Sequence, residues 1–96
     1  MLFALICTDK QGHLQTRLDN RPAHLGWLES LGANTKAAGP FLGPDGKPTG
    51  SLVIIAADDL EAAKSLAAKD PYAIAGLFAS VDIRPWNWLI KNPESA

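Results

Sequence analysis

The apolar residues of this chain fall into two spacings, and the alternation between them sets out an order of elements. Leu2-Phe3-Ala4-Leu5-Ile6-Cys7 is a strand-length run that is apolar on both parities, as in a strand covered on both faces, and predicts a first strand. A helical stretch follows Gly12. Its break is expected at Asp19-Asn20, with a new start near Arg21, because a proline such as Pro22 is tolerated in a first turn. Gly32 ends this first helix. Thr35 to Phe41 reads as a second strand, the Gly- and Pro-dense segment 42–50 as a hairpin loop, and Ser51 to Ala57 as a third strand, again apolar on both parities. Asp58 and Glu61 form a capping-box-like pair ahead of an Ala-rich second helix that runs to Lys69. Asp70-Pro71 stops that helix, and Asp70 is placed to cap the short segment Tyr72 to Leu77. Leu77, Ala79, Val81 and Ile83 then alternate with Phe78, Ser80, Asp82 and Arg84 in the period of two that marks a fourth strand.

The order β-α-β-β-α-β with right-handed crossovers predicts an α+β fold: a ferredoxin-like antiparallel sheet with two helices on one face. The other face is left bare. Because the first and third strands are apolar on both parities, that face should not meet water, and self-association as a homodimer through the sheet is the expected solution. With 96 residues, 47% of them hydrophobic, the chain has material for one core and no second domain. One domain over 1–96 is expected, with a polar, frayed tail over 91–96.

Charge and cysteine usage narrow the partners. Nine Lys and Arg against ten Asp and Glu give a net charge of −1, which lacks the positive field that nucleic acid selects for. The apolar start, Met1 to Cys7, is too short for a signal peptide or a membrane span, and a single cysteine fits a reducing cytoplasm. Nothing around His13 and His24 makes a metal site, and no motif for a cofactor stands in the chain. Gly39-Pro40 and Gly43-Pro44 are turn chemistry, and Trp86 and Trp88, two apart in an extended segment, are expected to pack on one face.

The chemistry concentrates on His24. At about 100° per residue, Arg21, Leu25, Trp27, Leu28 and Leu31 share an arc of roughly 160° with His24 near its middle. The imidazole is therefore expected to point at the sheet, near the start of the helix. Topology brings His24, Asp70, Asp9 and the 42–50 loop to one end of the sheet. A histidine with a carboxylate in reach can serve as a general acid or base near neutral pH. It can equally be a core histidine satisfied by one hydrogen bond, with Asp70 serving only as a cap. The sequence leaves both readings open.

The segments Leu14-Gln15-Thr16-Arg17-Leu18-Asp19-Asn20-Arg21-Pro22-Ala23-His24-Leu25, Ala38-Gly39-Pro40, Gly50-Ser51 and Asp70-Pro71-Tyr72, in this order, resemble the YciI-like (YCII-related) family over nearly the whole chain. The resemblance implies a dimeric α+β barrel similar to muconolactone isomerases, with an active-site His and Asp falling on His24 and Asp70 and an early acidic position on Asp9. A small-molecule ligand is expected, with Asp9, Arg17, Arg21, Ser51 and Tyr72 as candidate binding residues, Arg17 or Arg21 holding an anionic group. The hairpin loop looks short, and Trp86 and Trp88 after Arg84-Pro85 depart from the family pattern. The implied activity is of lyase or isomerase type, with proton transfer by the His-Asp pair on a ring compound and no metal or cofactor. The alternative is a non-catalytic ligand-binding or structural dimer.

Overall fold

The computed structural model describes residues 1–94. Strand β1 (Leu2–Asp9) is followed by helix α1 (Leu14–Ser30), strands β2 (Thr35–Leu42) and β3 (Pro48–Ala56), helix α2 (Leu60–Ala67), a four-residue helix α3 (Pro71–Ile74) and strand β4 (Phe78–Trp86). The strands form one antiparallel sheet in the order β2-β3-β1-β4, the ferredoxin-like arrangement with helices on one face.

Register explains why β1 and β3 are apolar on both parities. Leu5 faces Val53 and Phe3 faces Ile55 across the β1–β3 pairing, and these residues with Cys7 pack under Ala63 of α2. Leu28 of α1, Leu31 at the cap that follows it and Leu66 of α2 close over the same cluster. Ala4 opposite Ile54 and Ile6 opposite Leu52 lie on the other face, where Leu52 is 36% exposed. Gly50 fits between β1 and Phe41 because a Cβ there would stand 2.2 Å from the Cys7 carbonyl oxygen, so only glycine allows β3 this close approach.

Three expectations are corrected. The break at Asp19-Asn20 does not occur: α1 runs unbroken through Pro22, and His24 sits past its midpoint and not near its start. Proline removes one helical hydrogen bond, at a cost of about 3 kcal/mol in an interior turn. Arg17 and His24 are both buried and lie seven residues apart, so they pin one helix face on either side of the proline. The α2 cap is Asp59 and not Asp58: its carboxylate accepts from the Ala62 amide at 2.8 Å. β2 extends to Leu42 and β3 starts at Pro48, which shortens the hairpin loop to residues 43–47.

Among the described residues no strand or helix follows β4, yet this segment is held. Trp86 and Trp88 lie 5.7 Å apart between ring centroids, and the Glu94 carboxylate accepts from the Lys36 amine at 2.7 Å. Since Lys36 lies on β2 and the tail leaves β4, residues 87–94 span from one sheet edge to the other. Residues 95 and 96, the end of the expected frayed tail, lie outside the described residues. Among the described residues no helix is long and apolar enough to cross a membrane.

Candidate functional site

Asp70 acts twice through one oxygen. As the cap of α3 its Oδ1 accepts from the Tyr72 amide at 3.0 Å, and the same oxygen lies 2.8 Å from His24 Nδ1. The pair joins α1 to the turn after α2, and both residues are buried, at 7% and 3% exposure. A carboxylate only accepts, so the hydrogen of a neutral imidazole is drawn to Nδ1 and Nε2 is left as the acceptor. Nε2 has no hydrogen-bond partner among the described residues. Trp27 Nε1 is the sole sealed side-chain polar atom without a partner there, so the open imidazole nitrogen is in contact with space.

That space is a cavity of about 430 Å³ between α1, β2 and β3. Arg17, Arg21, His24, Ser51 and Tyr72 supply its polar lining, and Leu18, Leu25, Leu28, Pro40, Pro48 and Val53 its apolar wall. The helical arc derived from spacing is thus only half applied to the sheet. His24 is buried and Leu28 and Leu31 pack on the core, whereas Arg21 and Leu25 are exposed because α1 stands off β2 and leaves the cavity beneath them.

A second buried cluster adjoins the first. Arg17 donates from Nε to Asp9 Oδ2 at 2.7 Å, and from Nη2 to Asp9 Oδ1 and Ser51 Oγ, both at 2.9 Å. Asp9 gives both oxygens to this fork and does not line the cavity. Burial works against the Arg17 charge, but the hydrogen bonds and charge of Asp9 outweigh it and hold the guanidinium's pKa above its ordinary value. Burial likewise raises the Tyr72 phenol, opposed by Arg17 and Arg21. Cys7 is pushed up to about 12, first by burial and then by the Asp70 charge, so its thiol is no nucleophile.

Tyr72 binds the two clusters together. Its ring stacks on His24 with centroids 4.0 Å apart and planes at 15°, and the Arg17 guanidinium carbon lies 4.6 Å from its centroid. The candidate residues His24, Asp70, Asp9, Arg17, Ser51 and Tyr72 therefore form one buried network, with Arg21 at the cavity on its exposed side. Hydrophobic spacing does not mark the apolar wall from the strands, where Pro40 reads as turn chemistry and as part of the family-like segment Ala38-Gly39-Pro40.

Relatives and solved structures agree with this architecture. Protein YciI of Escherichia coli is 37% identical over 94 residues, covering 90% of this chain and 96% of the relative, and an uncharacterized protein of Haemophilus influenzae is 36% identical over the same span. The solved structure of 5-chloro-2-hydroxyhydroquinone dehydrochlorinase (TftG) from Burkholderia phenoliruptrix, in complex with 2,5-dihydroxybenzoquinone, is 39% identical. It superposes with a TM-score of 0.84 over 91% of this chain and 94% of that one. Protein Atu4242 of Agrobacterium tumefaciens, 16% identical with a TM-score of 0.57 over 97% of this chain and 98% of that one, shares the fold alone. With the sequence model of the YCII-related domain matching residues 1–87, the chain belongs to the YCII-related family.

Proposed function

We propose that this protein is a small-molecule lyase in which His24 moves a proton on a hydroxylated ring compound. The observation that carries the reading is the 2.8 Å bond from His24 Nδ1 to buried Asp70, with Nε2 left open on a cavity of ligand size. Asp70 orients the ring and stabilises the imidazolium that forms when Nε2 takes a proton. In an elimination the proton leaves one atom of the ring compound and the leaving group departs with its bonding pair; the Arg17 and Arg21 charges at the cavity favour the anionic form of the ligand. The dehydrochlorinase activity named for the Burkholderia relative belongs to this reaction class. In the same reading the protein works in the cytoplasm as a homodimer, with a second copy covering the sheet face that carries Ile6 and Leu52.

Chloride release from 5-chloro-2-hydroxyhydroquinone tests the reading directly. Wild type is expected to release chloride, and His24→Gln to do so at least about a hundredfold more slowly. Equal rates in the two proteins would sink the acid-base role of His24.

A further inference from the structure

Nothing in the His24–Asp70 arrangement uses the phenolic oxygen of Tyr72, although the ring is stacked directly on the imidazole. Tyr72 is 2% exposed; its backbone amide donates to Asp70, its carbonyl accepts from the Leu77 amide, and Arg17 is the side chain within hydrogen-bonding reach of its hydroxyl. The hydroxyl is not among the sealed, unpartnered atoms, a condition met among the described residues by Trp27 Nε1 alone. Tyr72 lines the cavity beside Arg17.

The surroundings of that oxygen are cationic. Arg17 and Arg21, one helical turn apart, line the same cavity, and the charges of both act on the phenol. Arg17 has committed Nε and Nη2 to Asp9 and Ser51, whereas Arg21 is exposed. Burial keeps the phenol protonated, so the oxygen remains a donor beside two positive charges.

We propose that the Tyr72 hydroxyl, flanked by Arg17 and Arg21, holds an ionised oxygen of the ligand, so that the site selects flat rings carrying a hydroxyl and an oxyanion on one edge. This rests on the acid-base reading of His24 for its other half: Nε2 accepts from the ligand's hydroxyl while Tyr72 donates to the oxyanion. The two stacked rings line the same cavity, and the wall of Leu28, Pro40 and Val53 suits an apolar ring face. A ligand with neutral ether oxygens could accept from Tyr72 but would bring no charge to the two arginines and no hydroxyl hydrogen to Nε2.

The test is an absorbance titration of the full chain with 2,5-dihydroxybenzoquinone, whose hydroxyls ionise, and with 2,5-dimethoxybenzoquinone, whose oxygens do not. Wild type is expected to prefer the first by more than about tenfold, the scale of one charge-assisted hydrogen bond. Tyr72→Phe keeps the ring and its stacking, and should lose about tenfold in affinity for the dihydroxy compound with the dimethoxy affinity unchanged. Arg21→Gln, at an exposed position that folding does not depend on, should narrow the same preference. A wild type without the preference, or a Tyr72→Phe or Arg21→Gln protein that retains it in full, overturns the proposal. Chloride release by His24→Gln reports separately on the acid-base reading, since its survival would break that reading while leaving the binding preference intact.

Discussion

Two buried carboxylate–cation pairs stand side by side in this protein and are built to opposite ends. In the pair of Asp9 and Arg17 every carboxylate oxygen is taken and two guanidinium nitrogens are committed, with Ser51 as a third acceptor. In the pair of Asp70 and His24 one carboxylate oxygen accepts twice, and the second ring nitrogen is left open on the cavity. The first pair satisfies its members and holds β1 against α1. The second leaves one group able to exchange a proton. Burial alone does not tell the two pairs apart, because Arg17 at 4% and His24 at 7% are equally withdrawn from water. What distinguishes them is that Arg17 keeps its charge fixed on Asp9 where it faces the cavity, whereas His24 keeps a ring nitrogen that can take a proton.

That contrast breaks most sharply at Asp9. Asp9→Ala strands a guanidinium that is 4% exposed, and breaking a buried pair in this way costs about 3–5 kcal/mol. Urea unfolding should show a loss of that size, and a double variant with Arg17→Met should recover much of it. A loss under about 1 kcal/mol in Asp9→Ala would mean that Arg17 finds water or another partner. Asp70→Ala should cost less, about 1–3 kcal/mol, from one helix cap and one buried hydrogen bond. Asp70→Asn keeps an oxygen for the Tyr72 amide and should recover the cap's share, yet still slow any turnover that depends on the charge beside His24. Equal stability losses for Ala and Asn would show that the cap contributes nothing.

Sequence made the His24–Asp70 pair legible through topology, since the element order alone brings α1 and the end of α2 to the same end of the sheet. Their common cavity was not legible, because its wall comes from Pro40, Pro48 and Val53 on two strands whose distance from α1 is a matter of packing. The Arg17–Asp9 fork was equally hidden: eight residues separate the two, and only the turn after β1 shows that they meet. At Pro22 local propensity pointed to a helix start, and tertiary anchoring by Arg17 and His24 overrode it. At Asp58 and Asp59 two equivalent caps stand in succession, and the geometry of the chain leaving β3 decides between them.

Cys7, facing both pairs from β1, offers a gentler probe of the same interior. Its thiol moves from an ordinary 9.0 to about 12, through burial first and the Asp70 charge second. The folded protein thus retains this proton where the unfolded chain has lost it. The resulting stability is fully present below pH 9 and falls above it by about 1.4 kcal/mol per pH unit until the folded thiol titrates near 12. Denaturation of wild type and Cys7→Ala at pH 8 and pH 10 should reveal a steeper alkaline loss in wild type, by about 1.4 kcal/mol. Parallel losses would show that the thiolate is accommodated in the fold.

The smallest effect is expected where a third pair joins the tail to β2. Lys36 and Glu94 meet at 2.7 Å, as close as Arg17 and Asp9, but their side chains are 13% and 52% exposed. Water screens the Glu94 end, and exposed pairs are worth about 0.2–1 kcal/mol whatever their length in a structure. Glu94→Gln should therefore lower stability by less than about 1 kcal/mol. It should also abolish whatever part of the stability weakens between low and high salt through this pair, because exposed charges are screened within about 10 Å at 0.1 M salt. A loss as large as that of Asp9→Ala would place Lys36 in the same class as Arg17, a buried cation that folding cannot leave unpaired, and would make the tail an integral part of the sheet's second face.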